Sequence, residues 1–126
     1  MPKTPAISTT FDEGRYFDLW MLVHFMGGVA GGFSNLLFGL TTAQVYMVGF
    51  GLMTLWEIAE YARGVREQFI NRVLDIAVGL GGVALALWIS AHLDELGRVA
   101  ALVVSGVFFG GGSLLGWLAY RRRHQG

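Results

Sequence analysis

The chain contains no cysteine, two prolines and little charge: of 126 residues, 14% are charged and 54% are apolar. Without cysteine there is no disulfide framework, thiolate metal centre or cysteine nucleophile. Both prolines, Pro2 and Pro5, lie in the N-terminal tail, so neither interrupts the apolar runs that follow. Soluble domains average roughly 25% charged residues, so this chain is short of the polar surface that a water-soluble protein of its length needs. Nine basic residues cancel nine acidic ones, which leaves no electrostatic footprint of a nucleic-acid binder.

What the chain does have is long apolar segments with glycine set inside them. Residues 1–18 read as a polar tail with an amphipathic entry at Phe11, Tyr16 and Phe17. Its charged part is long for the start of a cleaved signal peptide, and the apolar segment after it is nearer to membrane-spanning length. Four apolar segments follow, at 19–40, 43–62, 72–91 and 99–120, each close to the ~20 residues that cross a hydrocarbon core. The fold class predicted is all-α, a single-domain integral membrane bundle of four transmembrane helices. Thr41 or Thr42 can cap the second helix after a tight connection. A soluble helical bundle would need a polar stripe along each helix, and residues 99–117 carry only Ser105 and Ser113 as side-chain polar groups.

Charge placement orients the predicted bundle. With four crossings, Lys3, Arg15, Arg63, Arg66, Arg72, Arg121, Arg122 and Arg123 fall on one side and Arg98 alone on the other. Cytoplasmic loops carry the excess of Lys and Arg, so both termini are expected in the cytoplasm, in the cytoplasmic (inner) membrane of a prokaryote. Tyr16, Trp20, Trp56, Tyr61, Trp117 and Tyr120 sit where an interfacial aromatic belt would lie. The basic triplet 121–123 suits anionic lipid head groups. Gly27, Gly28, Gly31 and Gly32 on the first helix, Gly79, Gly82 and Ala86 on the third, and Gly106, Gly110 and Ser113 on the fourth are spaced for close helix packing. The same spacing serves a homo-oligomer or a membrane-protein partner.

The polar residues inside these segments are the functional candidates, because ionisable groups within a membrane are costly. A rise of about 1.5 Å per residue puts His24 roughly 9 Å in from Asp18, Glu57 roughly 9 Å from Arg63, and Asp75 about 4 to 5 Å from Arg72. His24, Glu57, Glu60, Asn71 and Asp75 can therefore share one pocket in the cytoplasmic half. Several carboxylates in a low dielectric must share protons, pair with arginine or hold a cation. With His24 they offer a mixed nitrogen and oxygen shell for a divalent ion, though no tight ligand motif is present. His24 alone also has the chemistry of a tetrapyrrole axial ligand. Arg63, Arg66 and Arg72 can hold a lipid phosphate, or simply form the cytoplasmic positive cap. The serines lack a nucleophile-elbow pattern.

Residues 56–82, WEIAEYARGVREQFINRVLDIAVGLGG, resemble the small bacterial membrane proteins of the VanZ-like group. Those carry an acidic residue late in one helix, a short arginine-containing loop, and an Asp/Asn pair opening a glycine-containing helix. Glu57 or Glu60, Arg66, Asn71, Asp75 and Gly79 take those places here, with Asn71 ahead of Asp75. The resemblance implies an envelope-lipid role and the family's association with glycopeptide resistance. The functional expectation is a cytoplasmic-side acidic and histidine pocket that binds a lipid head group or a cation. The alternatives are an accessory subunit of a larger membrane complex, with or without a pigment on His24, and a membrane enzyme acting on lipid phosphate.

Overall fold

The computed structural model describes residues 3–11, 14, 16–65 and 67–125. They form four helices, α1 (Leu19–Phe38), α2 (Thr42–Ala62), α3 (Phe69–Ser90) and α4 (Glu95–His124). No sheet occurs among the described residues, and the tail contributes one isolated bridge between Ile7 and Phe17.

Local chemistry fixes the helix ends. Asp18 caps α1, its carboxylate accepting from the Met21 N–H at 3.2 Å. Gly39 ends that helix in the left-handed region at φ 62°, where a side chain would be strained. The Asn35 side chain then clamps the exit, donating to Leu40 O at 2.9 Å and accepting from Leu40 N at 2.7 Å. This closure stops α1 at Phe38, short of the 40 expected from apolarity. Thr41 and Gln44 open α2 with a reciprocal capping box. The third helix starts at Phe69, three residues before the expected 72, so Asn71 and Arg72 lie in its first turn. Asp94 caps α4, accepting from Gly97 N at 2.7 Å, and the helix continues through the three arginines to His124. Cations in a last helical turn face the negative end of the helix dipole.

Glycine decides how the helices meet. The central helix, α1, packs most extensively on α3, next on α4 and only lightly on α2. Gly28 lies so near Gly79 that a Cβ would collide with the Gly79 carbonyl, and a Cβ on Gly82 would collide with the Phe25 carbonyl. The contacts run upward together, from His24 beside Gly79 to Gly32 beside Ala86, so α1 and α3 are parallel. Against α4 they run in opposite order, with Trp20 at Gly116, Val23 at Gly112 and Gly27 at Phe109. The second helix is antiparallel to α3, Gly49 facing Val83 and Met53 facing Gly79. Because α2 leans on α3 rather than on α1, a cleft of about 600 Å³ remains between α1 and α2.

Beside a small apolar core that includes Val29, Phe33, Val83 and Ala86, polar side chains are buried while many large apolar ones are exposed. Asn71 and Asp75 are 0% and 1% exposed, while Phe69 and Leu37 are 79% and 69% exposed. Large contiguous apolar exposure of this kind marks a surface that faces something other than water. Three helices, α1, α3 and α4, are long and apolar enough to cross a membrane. The second helix matches them in length, but Gln44, Glu57 and Glu60 dilute its apolarity.

The N-terminal tail, the 63–68 connection and the C-terminus of α4 share one end of the molecule. There Arg123 donates to the Phe11 carbonyl at 2.6 Å, and the Phe11 and Trp20 rings meet edge to face at 5.3 Å.

Candidate functional site: a buried histidine and carboxylate cluster

Each of three helices delivers one side chain to a common point: His24 from α1, Glu57 from α2 and Asp75 from α3. One nitrogen or oxygen from each lies within 4.8 Å of the other two. The glycine contacts make this possible, since the close approach of α1 and α3 at Gly28 and Gly79 carries His24 and Asp75 together.

The histidine ring is held in a defined orientation. Its Nδ1 lies 2.8 Å from Trp20 O, one turn back along α1. A carbonyl only accepts, so Nδ1 carries the hydrogen and donates it. Its Nε2 then points at Glu57 Oε1, 3.2 Å away, with the two side chains only 10% and 7% exposed. In the neutral imidazole Nε2 has a lone pair facing a carboxylate oxygen, which is repulsive unless positive charge lies between them. A proton or a metal ion supplies that charge. On the third side, Asp75 Oδ1 is buried with no hydrogen-bond partner. A buried, unsatisfied carboxylate oxygen is a costly feature to maintain without a ligand.

Arg72 forms the wall of the cluster nearest the α2–α3 connection. Its Nε lies 3.9 Å from Glu57 Oε2 and 3.9 Å from Glu67 Oε2. Its Nη2 donates to Val65 O at 3.1 Å, and its guanidinium lies 5.2 Å from the centre of the Tyr61 ring. Arg72 thus turns inward and ties the 63–68 connection to α3, whereas Arg63 is exposed at the end of α2. Arg66 lies outside the described residues. Of the lipid-phosphate trio expected from sequence, two members are thus described, one exposed and one turned inward.

The five pocket candidates divide in the same way. His24, Glu57 and Asp75 come together. Glu60 is half-buried and forms a second acidic group with Glu57 and Glu67. Asn71 is fully buried, but its amide donates to Asp18 Oδ2 at 3.4 Å instead of joining His24. Asp18 also accepts from Gly14 N at 3.2 Å and Met21 N at 3.2 Å, so it ties the tail, α1 and α3 together. Sequence reasoning missed that role, although an aspartate just ahead of an apolar run is an N-cap signal. It also missed Thr54, whose hydroxyl is buried without a hydrogen-bond partner one turn before Glu57.

One nitrogen and two carboxylates are donors that could hold a divalent ion. Bonds of about 2.0 to 2.1 Å from one ion place neighbouring ligand atoms roughly 3.0 to 3.4 Å apart. The 3.2 Å separation of His24 Nε2 and Glu57 Oε1 falls in that interval. A metal-bound histidine typically donates its second N–H to a backbone carbonyl, as His24 does to Trp20. No protein family, curated protein or solved structure matches the chain.

Proposed function

We propose that this is a four-crossing protein of a prokaryotic cytoplasmic membrane, with both termini in the cytoplasm, that binds a divalent metal ion between His24, Glu57 and Asp75. The observation that carries the reading is the gathering of His24, Glu57 and Asp75 within 4.8 Å of one another, with His24 Nε2 3.2 Å from Glu57 Oε1 and Asp75 Oδ1 buried without a hydrogen-bond partner. One nitrogen and two oxygens suit a first-row ion such as zinc, and three protein ligands leave a coordination position for a ligand oxygen. The asymmetric arginine distribution supports the orientation. The likeness of residues 56–82 to VanZ-like proteins is compatible with a role at the envelope, and a lipid head group is the natural companion of an ion at this depth.

Calorimetric titration of the purified protein in detergent with zinc chloride tests the assignment. One ion per chain is expected, with affinity falling at least tenfold in Asp75→Asn and in His24→Ala. No saturable binding, or binding indifferent to both substitutions, refutes it and leaves a proton as the charge between His24 and Glu57.

A further inference from the structure

A buried ion site needs a route by which the ion arrives. The cleft between α1 and α2 touches His24, but its walls are chiefly apolar, with Val48, Leu52, Val83 and Phe109 among them. A hydrated cation would shed water there and gain little oxygen in exchange, which is strongly unfavourable. The other approach is from the end that bears the α2–α3 connection, and that approach carries carboxylates.

Glu57 belongs to two groups at once. With His24 and Asp75 it forms the inner cluster, and with Glu60 and Glu67 an outer one, the donor atoms of each group lying within 4.8 Å of one another. Glu60 follows Glu57 by three residues, so it stands on the same face of α2, about 4.5 Å nearer the connection. Glu67 lies in the connection itself, ahead of α3. Exposure rises in the same direction, since the Glu57 side chain is 7% exposed and Glu60 is half-buried.

The Glu57 carboxylate points to a ligand independently of this clustering. Both of its oxygens are buried and neither has a hydrogen-bond partner. Oε1 faces His24 at 3.2 Å, while Oε2 faces the outer group, where Arg72 Nε stands 3.9 Å away. Hydrogen bonds from N–H to oxygen reach about 3.2 Å, so the guanidinium supplies charge here without a bond, and its Nε is unsatisfied too. The same Nε lies 3.9 Å from Glu67 Oε2, and Nη2 is anchored on Val65 O at 3.1 Å. Arg72 is thus a loosely engaged cation between two carboxylates. It can give up Glu57 while keeping Glu67 and Val65.

We propose that Glu60 and Glu57 form a loading position through which a divalent ion passes from water to His24, Glu57 and Asp75, and that Arg72 is the resident cation that yields Glu57 to it. This path rests on the metal reading above and adds its entrance and its barrier. Glu60 speeds entry by offering the ion an oxygen outside the inner cluster. Arg72 slows entry because two positive charges compete for one carboxylate.

Stopped-flow mixing of the detergent-purified full-length protein with zinc chloride, read by a fluorescent zinc indicator, gives the association rate; mixing the loaded protein with excess EDTA gives the dissociation rate. Glu60→Gln should slow both at least fivefold, because entry and exit share the step it removes. Arg72→Met should speed association at least threefold. Asp75→Asn should instead speed dissociation, and Leu52→Trp, which crowds the cleft, should leave both rates within twofold. Circular dichroism and gel filtration check the fold, and the isosteric change at half-buried Glu60 keeps the path testable if Arg72→Met does not fold. Unchanged rates in Glu60→Gln overturn the path, while zinc binding that still depends on Asp75 keeps the metal reading. Slowing by Leu52→Trp and not by Glu60→Gln moves entry to the cleft and overturns the path as well. Faster dissociation in Glu60→Gln, as in Asp75→Asn, makes Glu60 a resident ligand and overturns its transient role. Association unchanged in Arg72→Met overturns the barrier. No saturable zinc binding by the unsubstituted protein removes the metal reading and the path with it.

Discussion

The amide of Asn71 donates to the carboxylate of Asp18 at 3.4 Å across 53 positions of sequence, joining the N-cap of α1 to the first turn of α3. Both residues are buried, Asn71 completely, so the bond lies where an unsatisfied group is most costly. Asn71→Ala takes one of the three donors from Asp18 and should destabilise the protein by about 1 to 3 kcal/mol. Denaturant unfolding in detergent measures the loss, and an unchanged midpoint would show that the 3.4 Å contact contributes nothing.

Arg72 sits between two carboxylates and also holds Val65 O. Removing one partner of a buried ion pair typically costs about 3 to 5 kcal/mol. The Arg72 side chain is 20% exposed and its contacts are long, so Arg72→Met should cost less, roughly 2 kcal/mol. Arg72→Lys should recover only part of this, because an ammonium cannot reproduce the guanidinium's separate contacts to carboxylate and carbonyl. Thermal unfolding of the two variants side by side decides the point.

Neighbouring glycines on α1 should respond in opposite ways to the same methyl group. A Cβ at Gly28 collides with the Gly79 backbone, which cannot move aside alone, so Gly28→Ala should destabilise by roughly 1 to 3 kcal/mol. Gly31 has open space around it, and Gly31→Ala should be neutral or stabilising by up to about 1 kcal/mol through helix propensity. Equal effects at the two positions would contradict the parallel α1 and α3 contact.

The natural chain lacks cysteine, so single cysteines report sidedness without background. In intact cells an impermeant maleimide should label Glu95→Cys, while Gln68→Cys and Gln125→Cys should react only after permeabilisation. Outside labelling of Gln68→Cys would overturn the proposed arrangement, through either an inverted bundle or an α2 that does not cross.

The helical character of the chain was legible because long apolar runs admit few alternatives, and the glycine spacing pointed to the close contacts. Helix ends were read less well. Apolarity does not reveal that Asn35 folds back on Leu40, or that α3 begins before Arg72. The inward direction of His24 followed from its sharing a face with Gly27 and Gly28, and its depth from counting residues. What counting could not supply was the partner of each polar group. Asn71 and Asp75 are four residues apart on one helix face, yet Asn71 goes to Asp18 while Asp75 faces His24. That division depends on how far α1 is shifted along α3, which is set by backbone contacts at Gly28, Gly79 and Gly82 that no residue pattern specifies. Sequence left Arg72 open between a lipid phosphate, the positive cap and a carboxylate partner; its early place in α3 brings it to Glu57 and Glu67.

The fourth helix rests on α1 and supplies none of the three side chains of the histidine and carboxylate cluster, although Phe109 and Ser113 border the cleft. One border of the cleft is therefore set by a helix that contributes nothing to the cluster. Sliding or tilting α4 on its seat of Gly112 and Gly116 would open or narrow the passage while His24, Glu57 and Asp75 kept their spacing. A movement at the periphery would then reshape that border without disturbing the interior.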